Sequence, residues 1–497
     1  NVGAADVLEF LAERPGTKAI ALHLEGVNDG RRLYETLRRV TPKKPVAVLT
    51  VGRHDVAEFA RSHTGNLIGS YALRVSALRQ AGAVVVESTE ELASAAAALA
   101  LYRIPPKLDP GIGMITAQAG AGLLMLDHLK SRGVSVPPLR ESTEVRVAER
   151  LPGFTYTKNP VDTGRPAASF GEVVLALAED SEIDAVIAYA LHEPAAMNPV
   201  EVLPAVAALS KKPLIFGTMG PREEVAPLSE ALRSRRMFVA ESPEQLAHVA
   251  AALVEDARLQ ARLASKQVAE PRVAELEVPS RCDEHAAKQL LGAIGISIPT
   301  GIACASHDQV LAAFLRLEKP VAVKILAAEV LHKSDVGGVQ LGVSDEEALR
   351  EALERLDAIP LRAERRYLVE EMAPPGFEMI VGALRDASFG PTVMVGLGGV
   401  LAEALEDTVI RLAPLTLDEA EQMLAELRCS ALLDGFRGSP PLDRVALARS
   451  IVRLGDLLCA HSGIKEIEVN PLRVYPEGVV ALDGLLTVES LQPAPMV

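Results

Sequence analysis

The segment VVVESTEELASAAAALA (84–100) returns at 238–254 as FVAESPEQLAHVAAALV. Each copy reads as a short apolar strand, a Glu-Ser turn and an alanine-rich helix, in the same order. Upstream of each lies another matching strand, KKPVAVLTVG at 43–52 and KKPLIFGTMG at 211–220. Two apolar strands can look alike by composition alone. A strand, a turn of fixed chemistry and a helix in one order are harder to obtain that way, so the chain carries two related α/β units.

Working outward, further apolar runs fit buried strands: AIALHLEG (19–26), AVVVES (83–88) and IDAVIAYAL (183–191). The stretches 28–41, 70–81, 121–132 and 198–210 carry helical spacing instead. Strand–helix alternation of this kind implies parallel sheets flanked by helices. The second unit opens with a strand, a glycine-rich turn and a helix, IGMITAQAGAGLLMLDHL (112–129); the first unit has no counterpart after Asn1. That asymmetry, and a first residue other than Met, lead us to expect further sequence upstream.

A charged stretch rich in Val, Glu and Pro at 255–280 marks a boundary, beyond which the texture becomes α+β. Helices are expected at 284–294 and 307–317. Strands are expected at VAVKIL (321–326), QLGV, YLVEEM (367–372), EMIVGAL (378–384), PTVMVGL (391–397), IKEIEVNPLRVY (464–475) and VVALDGL (479–485). The expectation is an α/β multidomain chain: two parallel-sheet domains at 1–105 and 106–265, then an α+β domain at 266–497.

The 497 residues are 49% hydrophobic but only 3% aromatic, with no Trp, so the cores must be aliphatic. A net charge of −15 repels nucleic-acid phosphates and anionic membranes, and neither is expected as a partner. Cys282, Cys304, Cys429 and Cys459 form no close pair, which fits a reducing cytoplasm without a thiolate zinc site. No apolar run reaches the roughly 18 residues of a membrane span, and no signal peptide is visible.

Several constellations carry chemistry. In SHTG (62–65) a histidine stands in a small-residue loop just before a helix. Its imidazole can attack phosphorus, and the helix N-terminus, with the Thr64 and Gly65 amides, can neutralise the charge it acquires. Glu25 in LEG (24–26) ends a strand, where a carboxylate can fix a histidine's tautomer. Gly120 and Gly122 in AQAGAGLLM (117–125) let the backbone approach an anion at a helix start, although helix–strand packing asks for the same glycines. Lys324 projects from VAVKIL, and HKSDVGGV (332–339) supplies Lys333, Gly337 and Gly338 in a loop suited to phosphates. Glu370, Glu371 and neighbouring backbone fit an adenine and a ribose. Asn470 in EVNP and Asp483 in LDG suit Mg²⁺, which prefers oxygen ligands; Glu403 and Asp407 are weaker contributors.

The order LEG, SHTG, AGAGLLM, NPVD (159–162), VKI…HKSDVGGV, FGP…GLGG and EVNP…LDG resembles the ADP-forming acyl-CoA synthetases, the single-chain relatives of succinyl-CoA synthetase. The resemblance covers essentially the whole chain. It implies that 1–105 and 106–265 are flavodoxin-like, succinyl-CoA synthetase-like domains and that 266–497 is an ATP-grasp domain. It implies His63 as the phosphohistidine and Glu25 as its hydrogen-bonding partner. It also implies His332 as a second relay histidine, Lys324 on nucleotide phosphates, Glu370 and Met372 near adenine, and Asn470 and Asp483 on Mg²⁺. The implied substrates are a small carboxylic acid, CoA and ATP, whose γ-phosphate would reach the acid through phosphohistidine and leave it as an acyl phosphate for CoA to attack. The family's leading CoA-binding domain has no match here, so the CoA site is expected upstream. A homodimer is implied by the family alone. The alternative reading is a regulatory acyl-CoA-sensing module of the protein acetyltransferase type. The intact SHTG, and a chain that ends soon after the ATP-grasp strands, weigh against it.

Overall fold

The computed structural model describes residues 2–53, 71–264, 276–278, 283–327, 333, 336–361, 364–399, 405 and 407–489. The readings placed on His63, Thr64, Gly65, His332 and Glu403 fall outside these. The chain divides into two compact units, 1–266 and 267–497.

In the first unit, α1 (Ala4–Ala12), β1 (Ile20–Leu24), α2 (Gly30–Val40), β2 (Val46–Thr50), α3 (Tyr71–Gln80), β3 (Val84–Val86) and α4 (Thr89–Leu99) surround a parallel sheet of order β1-β2-β3. The second sheet is built from β4 (Ile112–Thr116), α5 (Ala119–Ser131), α6 (Glu141–Ala148), β5 (Val161–Asp162), α7 (Phe170–Glu179) and β6 (Ala185–Tyr189). It is completed by α8 (Pro199–Leu209), β7 (Leu214–Gly217), α9 (Arg222–Ser234), β8 (Val239–Ala240) and α10 (Pro243–Ala264). Its order, β5-β4-β6-β7-β8, is parallel throughout. β2, β4, β6 and β7 are buried at every position, which explains their unbroken apolar sequences.

The internal repeat survives as geometry. Ser88 Oγ accepts the Glu91 amide at 3.1 Å, and Glu91 reaches back to the Glu87 amide at 3.2 Å. Ser242 Oγ accepts the Gln245 amide at 3.1 Å, and Gln245 reaches back to Glu241 at 2.7 Å. These reciprocal caps start α4 and α10 directly after the last strand of each sheet. One core runs through both sheets: Leu49, Val84 and Val86 of the first pack in the same cluster as Ile112, Ile187 and Ile215 of the second, with α10 between them through Val249, Ala250, Leu253 and Val254. Arg103, in the connector, makes a bidentate pair with Asp256 of α10 at 2.7 and 2.9 Å and also donates to the Thr41 and Pro42 carbonyls.

The second unit begins with α11 (Glu284–Ala293), β9 (Gly301–Cys304), α12 (His307–Arg316), β10 (Val321–Ile325), β11 (Val339–Val343), α13 (Glu346–Asp357) and β12 (Tyr367–Glu371). Their antiparallel sheet runs β11-β10-β12-β9. A larger sheet follows from β13 (Phe377–Asp386), β14 (Gly390–Leu397), β15 (Thr408–Leu412), β16 (Ile464–Val474), β17 (Val479–Ala481) and β18 (Gly484–Val488). It is backed by α14 (Leu417–Glu426), α15 (Ser430–Leu433) and α16 (Arg444–Ala460). Its order is β15-β14-β13-β16-β17, with β18 also on β16.

One detail corrects the sequence reading. The expected strand 464–475 runs through Asn470 to Val474, but the expected strand 479–485 is broken between Ala481 and Gly484. Pro471 has no N–H to give the ladder, and the β13–β16 register shifts by one residue there, between the pairs Met379–Leu472 and Val381–Val469. Among the described residues no helix is long and apolar enough to cross a membrane.

Candidate functional site

The second unit gathers most of the flagged residues at one place, where β10 and β12 of the smaller sheet face the β17–β18 turn of the larger. Lys324 sits mid-strand in β10 opposite Leu368 of β12, and Ala322 lies opposite Glu370, so alternation puts Lys324 and Glu370 on one face. The Lys324 ammonium meets Glu284 at 2.6 Å, Glu370 at 3.0 Å and the Leu482 carbonyl at 2.8 Å. Lys333 lies 3.0 Å from Glu284 and 3.5 Å from Asp483. Lys288 completes the cluster, 2.8 Å from Glu284 and 2.7 Å from each Glu370 oxygen.

Glu284 and Lys288 were not singled out in the sequence. They are successive polar positions on one face of α11, whose N-cap Asp283 accepts the Ala286 amide. α11 lies close to β18 because Gly484 has no side chain: a Cβ there would stand 3.2 Å from Leu291 and 3.4 Å from Ala287. The Glu-x-x-x-Lys spacing was the available signal, and it is shared by many surface helices.

Burial would raise the Glu284 carboxyl, but Lys324, Lys288 and Lys333 outweigh it and hold it well below the usual carboxylate range. Burial also works against the Lys324 ammonium, and Glu284, Glu370 and Asp483 together overcome it and push it above an ordinary lysine. Lys288 is pulled the other way: burial and the neighbouring Lys324 lower it, despite Glu284 and Glu370. Burial, reinforced by Glu284, raises Asp483 against the three lysines. The result is a largely buried cluster in which three ammoniums alternate with the carboxylates of Glu284, Glu370 and Asp483.

Asn470 and Asp483 fall opposite one another, between the pairs Val469–Gly484 and Leu472–Ala481. Both are hard oxygen donors, Asn470 exposed on the bulged strand and the Asp483 side chain 32% exposed beside Lys333. That donor set fits Mg²⁺, provided that ligand phosphates complete the shell: no cluster of three or more His, Cys, Asp or Glu suited to a metal occurs among the described residues. Asp407 is engaged with backbone. Its two oxygens accept the Arg428 and Cys429 amides, at 2.9 and 2.8 Å.

Other candidates separate. Glu371 lies on the opposite face from Glu370 and accepts the Glu318 amide at 3.1 Å. Met372 is partly exposed just past β12, its sulfur 3.1 Å from the Gly342 amide. Gly337 takes φ +70°, a turn conformation that favours glycine, and a Cβ on it would meet nothing. Gly338 gives its amide to the Lys333 carbonyl at 2.7 Å, and a Cβ there would stand 2.8 Å from Ile325, so the loop lies close on β10 at this point.

In the first unit, Glu25 is exposed directly after β1. The Val51 amide donates to the Leu24 carbonyl, so the chain leaves the end of β2 close to the end of β1, where Glu25 follows. Arg74 of α3 bonds the Val51 carbonyl at 2.6 Å and is buried, which lowers its guanidinium. The AGAG turn starts α5 at the C-terminal ends of β4 and β6, where the strand order reverses and ligands of open α/β sheets collect. Gly120 is exposed with open space around it. Gly122 gives its amide to Gln118 within the helix, and a Cβ there would meet Thr116 at 2.7 Å, so it is a packing glycine. NPVD is likewise architectural: the Asn159 amide group bridges the Met114 N–H and the Ile112 and Pro137 carbonyls.

Comparison with known proteins adds the following. Residues 1–99 match the succinyl-CoA ligase-like flavodoxin domain, and residues 274–488 match the ATP-grasp domain. The ADP-forming acetate–CoA ligase I of Archaeoglobus fulgidus is 32% identical over 96% of this chain and 71% of its own. A trans-feruloyl-CoA synthase from an unknown prokaryotic organism is 30% identical over 98% and 71%. Among solved structures, the dinucleotide-forming acetyl-coenzyme A synthetase 1 of Ca. Korarchaeum cryptofilum, in complex with phosphate and ADP, is 26% identical over 54% of this chain and 59% of that one, with a TM-score of 0.50.

Proposed function

Because the chain belongs to the family of ADP-forming acyl-CoA ligases, and is therefore an acid–thiol ligase, we propose that it joins a carboxylic acid to CoA with cleavage of ATP through phosphorylated His63. The observation that carries this reading is the buried group of Lys324, Lys333 and Lys288 beside Asn470 and Asp483. Such a site suits a nucleotide polyphosphate, and phosphoryl transfer depends mainly on positioning and charge neutralisation.

In this reading Lys324 and Lys333 hold phosphate oxygens and Glu370, Glu371 and Met372 lie toward the nucleoside, with Gly337 and Gly338 shaping the loop that covers it. Asn470 and Asp483 would hold Mg²⁺, which supplies further neutralising charge on the phosphates. The His63 imidazole attacks the γ-phosphorus, the bond to ADP breaks and an N–P bond forms; in the relayed route His332 takes the phosphoryl from ATP first, and its N–P bond breaks as His63 takes the group over. Glu25 holds the ring, and Thr64, Gly65 and the α5 N-terminus at Gly120 receive the phosphoryl group. The substrate carboxylate then takes the phosphoryl, giving an acyl phosphate. The CoA thiolate attacks its carbonyl carbon and phosphate leaves. Splitting one hard step into easier covalent ones is the advantage of the relay.

We assign 1–105 and 106–265 to the two flavodoxin-like domains and 266–497 to the ATP-grasp domain, and take the enzyme to be a cytoplasmic homodimer. The test is ³²P labelling from [γ-³²P]ATP, together with ADP release. Labelling should be acid-labile and lost from position 63 in His63→Ala, and ADP release should require both acid and CoA. Acid-labile label persisting in the variant on a residue other than His332 sinks the assignment.

A further inference from the structure

Glu284 occupies an unusual position. Its side chain is fully buried at the first turn of α11, and three ammoniums from three separate segments converge on it. A pair with Lys288, one turn along the same helix, would already neutralise it. Lys324 and Lys333 are brought to the same carboxylate as well, although Glu370 and Asp483 stand within reach of them, so the balance of three ammoniums and three carboxylates is centred on Glu284.

The ion-pair and hydrogen-bond distances show how the load is divided; the Glu284 oxygen that faces Lys333 at 3.0 Å makes an ion pair and no hydrogen bond. An ammonium has three donors. Lys288 points all of its contacts at Glu284 and Glu370, and its side chain is 2% exposed. It faces the protein only. Lys324 shares Glu284 and Glu370 but also reaches the Leu482 carbonyl of the β17–β18 turn. Lys333 joins Glu284 to Asp483. Glu284 is therefore the one carboxylate common to all three, fixed on a helix that Gly484 lets rest on β18.

We propose that Glu284 is a positioning residue of the nucleotide site, a fixed anionic post that sets where Lys324 and Lys333 stand while Lys288 balances the charge of the Glu284–Glu370 pair. The proposal rests on the nucleotide reading of this cluster. On binding, Lys324 loosens its ion pair with Glu370, which Lys288 retains, and donates to a phosphate oxygen; its hydrogen bond to Glu284 stays.

The test compares the purified wild-type chain with Glu284→Gln, Glu284→Asp and the double variant Glu284→Gln/Lys288→Met, which removes one negative and one positive charge together. Two quantities are read: the single-turnover rate of ³²P transfer from ATP to the protein, and the dissociation constant for ADP. Misplacing catalytic groups by about 1 Å costs on the order of a hundredfold in rate. Glu284→Gln should therefore slow labelling at saturating ATP about a hundredfold while changing ADP affinity less than about tenfold. The double variant should melt within a few degrees of wild type and stay slow. Glu284→Asp, which keeps the charge but draws it back by one methylene, should be slowed too. Recovery of labelling in the double variant to within about threefold of wild type would show that Glu284 only neutralises Lys288, and would overturn the proposal. Should Glu284→Gln fail to fold, the other two variants decide alone, and a full-rate Glu284→Asp counts against it. Absence of label in the wild type itself would instead strike the phosphohistidine reading.

Discussion

Both carboxylate oxygens of Asp407 accept backbone amides, and the Cys429 thiol donates to the same group. Burial and this carboxylate push the thiol up to about 12. Burial tends to raise Asp407, but the Arg428 and Cys429 amides prevail and hold it below the ordinary carboxylate range. A carboxyl whose folded value is depressed stabilises the protein fully above its unfolded value, about 4, and loses that contribution as pH falls through the folded value. Asp407→Asn should therefore lower stability by about 1 kcal/mol at pH 7, with the gap from wild type closing below about pH 4; melting temperatures across pH 3–7 check this, and a constant gap contradicts it. Sequence reading offered Asp407 only as a weaker contributor, without sight of the Arg428 amide reaching it from 21 positions later. Lys324 was legible because a lone lysine inside VAVKIL must bury an ammonium and needs carboxylates. Glu284 and Lys288 were not, since EHAAK reads as an ordinary exposed helical pair.

At the scale of the element, the two glycines at the start of α5 make opposite demands. Gly122 is pressed on Thr116, whereas Gly120 has space around it. Gly122→Ala should destabilise by about 1–3 kcal/mol through overpacking. Gly120→Ala should be neutral or stabilising by up to about 1 kcal/mol, since alanine is the better helix former. Denaturant titration of both variants tests this, and equal losses would refute the division. A Gly120→Ala protein that folds normally then isolates any part its backbone plays in holding phosphate. Most strands of both units were legible from period and turn chemistry, the Glu-Ser turns at Ser88 and Ser242 above all, whereas α1, β9, β15 and the helices α13 to α16 were not read. The break at Leu482–Asp483 was not, because VVALDGL alternates smoothly and only pairing with β16 on either side of Pro471 shows the gap.

Across the first unit, the sheets are joined by Arg103 and by the wall of α10. Asp256 is almost fully buried, and burial raises its carboxyl even with Arg103 beside it. Removing the guanidinium strands that carboxylate, so Arg103→Ala should cost about 3 kcal/mol. Adding Asp256→Asn should return part of it. Urea midpoints of the single and double variants measure both, and a loss under about 1 kcal/mol would mean the pair is dispensable. The repeat revealed two units in the sequence, yet their shared core was hidden: an alanine-rich amphipathic pattern does not say which sheet its second face will meet.

That α10 serves two sheets at once limits how this chain can be divided. A fragment stopping near residue 105 would retain Leu49, Val84 and Val86 but lose the helix that shields them, leaving an oily face open to water. The seam visible in the primary structure is thus no place for scissors; a self-sufficient piece has to run on to the far end of that helix.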